Sequence, residues 1–360
     1  MIFGLERKHF VDPTTWEKEV DRIFSKSWNC VGRRESLFNH CGANAFRRIQ
    51  IGDHDIVLFQ QEGGKIDAFH NVCRHRGTRL VSEECGSLKN SCVTCPYHAW
   101  TYRCDGQLIG APNMKDVESF DPSEFGLKRV SCHDWCGFIM INPCDVTADF
   151  STDFAPIIRQ MQAWQMEQLE LVTTVEYEVK ANWKLIFQNY SECYHCPTVH
   201  PALNRLTPYR GATNDLEEGA FLGGPMRLAD PSETISTDGK RIGEILPGLN
   251  EDQARLVYYY TLFPTMFLSP HPDYVMAHEI HPKSPSRTQV LCHFLSKPKT
   301  SAEQIQRAVT QWDHVNREDW VVCELTQLGV QSPSYTPGPY SHLEPMLMAF
   351  DQHYRRVMSD

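Results

Sequence analysis

The chain has 360 residues, 41% of them hydrophobic and 22% charged, with a formal net charge of −10. That length suits two domains with a large buried core, and an acidic balance without any offsetting basic tract excludes general nucleic-acid binding. No hydrophobic signal segment follows Met1, no apolar run reaches membrane-spanning length, and the 14 cysteines lack framework spacing, so the expectation is a cytoplasmic protein with reduced thiols, some of them ligating metal.

Asp12-Pro13 opens the first element as N-cap and first helical residue, and Trp16, Val20, Ile23, Phe24 and Trp28 follow at helical spacing. From about Ala45 the period changes. Ile56–Phe59 and Ile66–Phe69 are β-rich runs set off by Gly52-Asp53 and Gly63-Gly64, and Trp100–Tyr102, Asp105-Gly106 and Gly137–Ile141 continue the pattern. A small antiparallel domain is expected here, ending where composition shifts between Asp145 and Asp153. Beyond it the chain predicts a helix over Phe154–Met166, a strand over Leu169–Val179 and a helix from Asn182. Loops fill 202–250, and strands follow over Leu256–Leu268, Tyr274–Ile280 and Thr288–Leu295. Two helices, Ala302–Leu328 and Glu344–Met358, close the chain. The fold class is α+β: a small antiparallel β domain plus a larger domain whose antiparallel sheet is covered by helices. The expected divisions are residues 1–38, a helical segment packing on the larger domain, then 39–148 and 149–360.

Two stretches carry chemistry. Cys73-Arg74-His75-Arg76-Gly77 and Cys95-Pro96-Tyr97-His98 offer two thiolates and two imidazoles on tight turns. A two-iron, two-sulfide cluster with two cysteines on one iron and two histidines on the other takes this set. Zinc accepts the same ligand types, and Cys92 with Cys95 supplies an alternative Cys-x-x-Cys. Against zinc, each doublet mixes one Cys with one His.

The second stretch runs from Asn182-Trp183-Lys184 to Gln188-Asn189-Tyr190-Ser191-Glu192-Cys193-Tyr194-His195-Cys196-Pro197 and His200-Pro201. Glu192 and His195 share a helix face at i,i+3. His200 points about 140° away on an ideal helix, and Pro197 is expected to bend the chain and bring it back. Two imidazoles need a carboxylate, and Glu318 or Asp319 on the long helix is placed to supply one. Two histidines and one carboxylate form the open ligand set of oxygen-activating ferrous enzymes. Cys193 and Cys196 read as packing residues rather than ligands.

These motifs, in this order, resemble the Rieske non-haem iron oxygenases, specifically their catalytic α subunit in the aromatic-ring-hydroxylating dioxygenase family. The resemblance spans about residues 10 to 355. It implies a Rieske [2Fe-2S] cluster on Cys73, His75, Cys95 and His98, and a mononuclear Fe(II) on His195, His200 and Asp319. Asn189 matches a family position near the iron. Glu192 matches the acidic residue that links the two centres of neighbouring subunits in a homotrimer, accepting a hydrogen bond from His98 across that boundary. Ring dioxygenases carry Asp there, so Glu is more similar to the branch acting on betaines, carnitine and other N-methyl compounds. The resemblance also implies O2 as co-substrate. No glycine-rich dinucleotide motif is present, which implies a separate NAD(P)H-dependent, ferredoxin-type reductase.

The expected reaction is hydroxylation or oxidative N-demethylation of a betaine-like or quaternary ammonium compound, with (di)hydroxylation of an aromatic carboxylate as the alternative. A zinc-stabilised binding protein, or a Rieske electron carrier without catalysis, is the reading from another class. Tyr258, Tyr260, Phe263 and Phe267 are the expected substrate-pocket walls, since aromatic faces attract quaternary ammonium groups and also pack flat rings.

Overall fold

A computed structural model describes all residues except 40, 42, 43, 145–148, 217, 218 and 360. The chain forms two compact units, residues 23–153 and residues 1–22 with 154–360. Residues 23–38 thus fall in the smaller unit and not with the N-terminal segment, because Asn29–Arg33 is a strand of its sheet. Of the expected boundary stretch, 145–148 lie outside the described residues.

The smaller unit contains strands β1 (Asn29–Arg33), β2 (Ala45–Ile51), β3 (His54–Gln60), β4 (Ile66–His70), β5 (Cys85–Ser87), β6 (Cys92–Thr94), β7 (Thr101–Arg103), β8 (Leu108–Gly110), β9 (Arg129–Trp135) and β10 (Phe138–Asn142). Seven of them pair in the order β1-β10-β9-β4-β3-β2-β5, and β6-β7-β8 form a separate sheet. All these pairings are antiparallel. Gly52-Asp53 is the two-residue link between β2 and β3, fixed by the pairing of Ile51 with His54. Gly106 turns β7 into β8 at φ +86°, and a Cβ there would stand 2.3 Å from the Phe69 ring. The turn therefore needs glycine for both conformation and space. Val57, Phe59, Phe69, Trp100 and Tyr102 pack with Cys73 and Cys95 in one apolar core. That core anchors the two turns carrying the Cys/His doublets.

In the larger unit Asp12 caps helix α1 (Pro13–Glu19), accepting from the Thr14 and Thr15 amides. Strands β11 (Glu170–Val179), β12 (Phe221–Arg227), β13 (Leu256–Leu262), β14 (Met266–Pro270), β15 (Tyr274–Ser284) and β16 (Arg287–Ser296) form an antiparallel sheet in the order β11-β16-β15-β14-β13-β12. The run expected as one strand over Leu256–Leu268 is two, since the chain turns at Phe263–Thr265 and pairs Leu262 with Met266. The helix expected over Phe154–Met166 is shorter, Ala155–Met161.

Helix α2 (Trp183–Tyr190) is capped by the Asn182 side chain. Short helices α3 (Cys196–Val199) and α4 (Pro201–Leu206) follow, then the 30-residue α5 (Ala302–Gln331) behind a Ser301/Gln304 capping box, and α6 (Pro345–Ser359). Buried Glu19 ties three of these helices together. It accepts from Lys184 Nζ at 2.6 Å, Trp183 Nε1 at 2.9 Å and the Tyr354 hydroxyl at 2.6 Å. This explains the Asn-Trp-Lys wording: the lysine is a paired internal cation, and removing one partner of such a pair costs about 3–5 kcal/mol.

Candidate metal centres

The Cys73 and Cys95 turns each close on themselves, with the Gly77 amide donating to the Cys73 carbonyl and the Ala99 amide to that of Cys95. Both cysteines are buried, whereas His75 is exposed and His98 half-buried, with their rings 4.7 Å apart. The set therefore has a sulfur side facing the core and a nitrogen side facing outward. The Trp100 indole stacks on His75 at 4.8 Å and 5°. Tyr102 Oη accepts from the Arg74 amide and lies 3.3 Å from Cys73 Sγ. Burial pushes the Cys73 thiol up, and the Tyr102 hydrogen bond opposes that.

Among the described residues, only His195, His200 and Asp319 bring three ligand atoms within 4.8 Å of one another. The Cys73/His75/Cys95/His98 set is more widely spread. Two buried thiols on the core side and two imidazoles on the outer side are the donor set that a two-iron cluster with unequal irons takes. Cys92, the other half of the zinc alternative, directs its sulfur to the Asn90 carbonyl at 3.1 Å.

The second centre is built differently from the expected continuous helix. Helix α2 ends at Tyr190, so Glu192 and His195 share a turn and not a helix face. The Glu192 carboxylate accepts from the Tyr194 and His195 amides and from His195 Nδ1. Pro197 sits in the first turn of α3 and does not break a helix; the bend comes at His200, at φ −121° and ψ 61°. That bend turns His200 back toward His195, their rings 5.2 Å apart. Cys193 and Cys196 are disulfide-bonded to each other across this turn, their Cα atoms 5.0 Å apart, where reduced packing residues were expected.

Helix α5 supplies the carboxylates. Asp319 Oδ1 lies 2.8 Å from His200 Nε2 and 3.4 Å from His195 Nε2. Glu318 is also used: its Oε2 accepts from His200 Nδ1 at 2.6 Å, while its Oε1 lies 3.1 Å from the exposed His314. Each imidazole thus has its outer nitrogen on a glutamate and its Nε2 toward Asp319, the arrangement that fixes a metal-binding tautomer. Burial pulls His195 down, but hydrogen bonds and charge from Asp319 and Glu192 outweigh it and hold it up at about 10. Burial pushes Asp319 up, and hydrogen bonds from the two histidines reverse this and hold it low. The donor set fits a divalent iron with open positions.

A cavity of about 230 Å³ opens on this triad and is lined by Asn189, Tyr190, Tyr259, His278, Trp312 and Asn316 among others. Tyr258, Tyr260, Phe263 and Phe267, expected as walls, do not line it. Tyr258 packs edge-on against Trp164, and Tyr260 donates to Asp215. Strand alternation puts these two on the opposite face from Tyr259 and Thr261. Phe263 packs on His353 and Trp183, and Phe267 stacks at 4.2 Å behind Tyr190. Gly223, at φ +137°, allows β12 to approach, since a Cβ there would lie 1.9 Å from the Tyr259 carbonyl oxygen. Asn316 and Trp312, missed from sequence, lie three and seven residues before Asp319, a helical spacing that marks one face.

Residues 166–360 match the family of the ring-hydroxylating α subunit catalytic domain, and residues 27–121 match the Rieske [2Fe-2S] domain. The chain belongs to the Rieske ring-hydroxylating oxygenase family. It is 28% identical to the glycine betaine monooxygenase oxygenase subunit of Pseudomonas aeruginosa, over 94% of this chain and 85% of that one. It is 27% identical to the chloroplastic choline monooxygenase of Arabidopsis thaliana, over 93% and 78%. The fold is shared with the quaternary ammonium Rieske monooxygenase CntA at a TM-score of 0.77 and 23% identity, covering 99% of this chain and 96% of the other. This Rieske oxygenase is therefore an oxidoreductase with a [2Fe-2S] cluster in its smaller unit and a mononuclear iron in its larger one. No described helix is long and apolar enough to cross a membrane.

Proposed function

We propose that this oxygenase hydroxylates an N-methyl or quaternary ammonium compound, using O2 and electrons from a separate NAD(P)H-dependent reductase. The observation that carries this reading is the cavity itself. Tyr190, Tyr259 and Trp312 line it as one aromatic wall, packed edge-to-face with ring centroids 6.1 Å apart for both Tyr190–Tyr259 and Tyr259–Trp312, and it opens on the His195/His200/Asp319 triad. Aromatic faces attract an ammonium that cannot hydrogen-bond. The names of the relatives, acting on betaine and choline, agree with that chemistry.

Cys73, His75, Cys95 and His98 would hold the cluster, and His195, His200 and Asp319 the iron. When bound, these groups supply one-electron transfer and oxygen chemistry respectively. One O2, two electrons and two protons convert a substrate C–H to C–OH and release one water. Where the carbon is an N-methyl, the hydroxylated product loses its C–N bond to give the amine and an aldehyde. Glu192 and Glu318 hold the two imidazoles in their metal-binding tautomers, and the aromatic wall orients the methyl group. In a trimer, Glu192 would also face His98 of a neighbouring subunit and join the two centres.

Oxygen uptake with a surrogate reductase, screened over betaines, carnitine, choline and aromatic carboxylates, tests the reading. Stoichiometric uptake with an N-methyl compound is expected. Turnover confined to aromatic carboxylates would overturn it.

A further inference from the structure

Cys193 and Cys196 form the one disulfide among the described residues, and its position does little for the fold. It joins residues three apart, whereas the stability a disulfide adds grows with the length of chain it encloses. The turn it spans is also closed without it. The Cys196 amide donates to the Cys193 carbonyl at 3.2 Å, the His195 amide to Glu192 Oε2 at 3.3 Å, and the Thr198 and Val199 amides to the His195 carbonyl at 3.0 Å.

Its surroundings point to another use. Both cysteines line the cavity that opens on the triad, and they stand in the chain on either side of His195. Cys193 is half-buried, while Cys196 is only 3% exposed. Cys-x-x-Cys is the spacing of thiol–disulfide redox pairs, in which an accessible sulfur reacts first and a neighbouring cysteine resolves the product.

We propose that Cys193 and Cys196 are a redox-active pair that reduces hydrogen peroxide at the oxygenase site, Cys193 attacking and Cys196 resolving. The Cys193 thiol attacks one peroxide oxygen and the O–O bond breaks, giving a sulfenic acid and one water. The Cys196 thiol then displaces the sulfenic hydroxyl, forming the S–S bond and releasing a second water. The two sulfurs give up two electrons, so one H2O2 and two thiols yield one disulfide and two waters. An external dithiol restores the pair by exchange. The source of the peroxide rests on the O2-reducing reading of the site. Two electrons and two protons delivered to O2, with no C–H bond to take up the oxygen, give H2O2 in the cavity that holds both sulfurs. The disulfide is then the oxidised state of the cycle, and in it the three triad ligands are still assembled.

The tryptic peptide Leu185–Arg205 contains these two cysteines and no others, which makes their state readable by mass. The cluster-containing, iron-loaded enzyme is reduced with dithiothreitol, the visible spectrum confirming an intact cluster, then given one equivalent of H2O2 and alkylated with iodoacetamide before digestion. The peptide should carry two alkyl groups after dithiothreitol and lose both after peroxide, while the exposed Cys144 stays alkylatable. Turnover with a surrogate reductase and O2 but no substrate should cause the same loss without added peroxide. Cys196→Ser should leave a sulfenic acid on Cys193 that dimedone traps, and Cys193→Ser should leave Cys196 alkylatable. A disulfide that dithiothreitol cannot open in the folded enzyme, or a reduced pair still fully alkylated after peroxide, would overturn the inference and leave the oxygenase reading standing. Absence of oxygen uptake with every substrate would remove the oxygenase reading instead, and the added-peroxide arm would still decide this one.

Discussion

Glu318 is the sharpest test of how the metal centre is held. Its carboxylate accepts from His200 Nδ1 at 2.6 Å, on an imidazole only 1% exposed, so water cannot replace it. Its neighbour Asp319 approaches the same ring from Nε2. Glu318→Ala leaves the buried N–H unpaired and the ring free to change tautomer, whereas Asp319→Ala removes a ligand outright. Outer partners of ligating histidines are worth about 10–100-fold in metal affinity, or roughly 1.4–2.7 kcal/mol. Glu318→Gln keeps an acceptor oxygen and loses only the charge assistance, about half the strength of such a bond, so it should fall between wild type and alanine. Fe(II) retention is measured by dialysis against a graded competing chelator, with the visible spectrum confirming an intact cluster. Asp319→Ala should retain no mononuclear iron at any chelator strength. The exposed His314, which only touches Glu318, should shift affinity less than twofold as His314→Ala. Wild-type iron affinity in Glu318→Ala, or iron retained in Asp319→Ala but lost in Glu318→Ala, would refute the assignment.

His75→Ala should bleach the oxidised protein and abolish its acid-labile sulfide, because the remaining ligands cannot hold the outer iron; an unchanged spectrum would show a wrong ligand. Glu192→Gln should assemble both centres and accept electrons at the cluster, yet lose cluster reoxidation and product formation by orders of magnitude when the pre-reduced protein meets substrate and oxygen in a single turnover. Near-normal product yield would leave Glu192 a structural residue. Burial depresses His278 from 6.5 to about 4, so between those values the unfolded chain binds a proton that the folded one refuses. Its contribution is complete above pH 6.5 and shrinks as pH falls toward 4, amounting to a loss of about 2 kcal/mol at pH 5. Urea unfolding of wild type and His278→Phe at pH 7, 6 and 5 should therefore diverge by about that amount; parallel curves would mean the imidazole is not buried neutral.

The sequence by itself determined the chemistry and the class of fold. Mixed Cys/His doublets, a His195/His200 pair and acidic residues on a long helix are local signals, because ligand type is set by the side chain and helix and strand periods by the backbone. Asp12, Asn182 and Ser301 act as caps for the same local reason. What only the tertiary structure decided was direction. Whether Tyr258 and Tyr260 or Tyr259 faced the cavity depended on which side of β13 the helices cover, and alternation alone is blind to that choice. Glu318 and Asp319 looked like rivals on a helix viewed alone. The bend at His200 inserts one imidazole between them, so both carboxylates reach it from opposite ring nitrogens. The cavity lining was invisible too, since Tyr259, His278, Asn189 and Trp312 come from β13, β15, α2 and α5 and meet only in the fold.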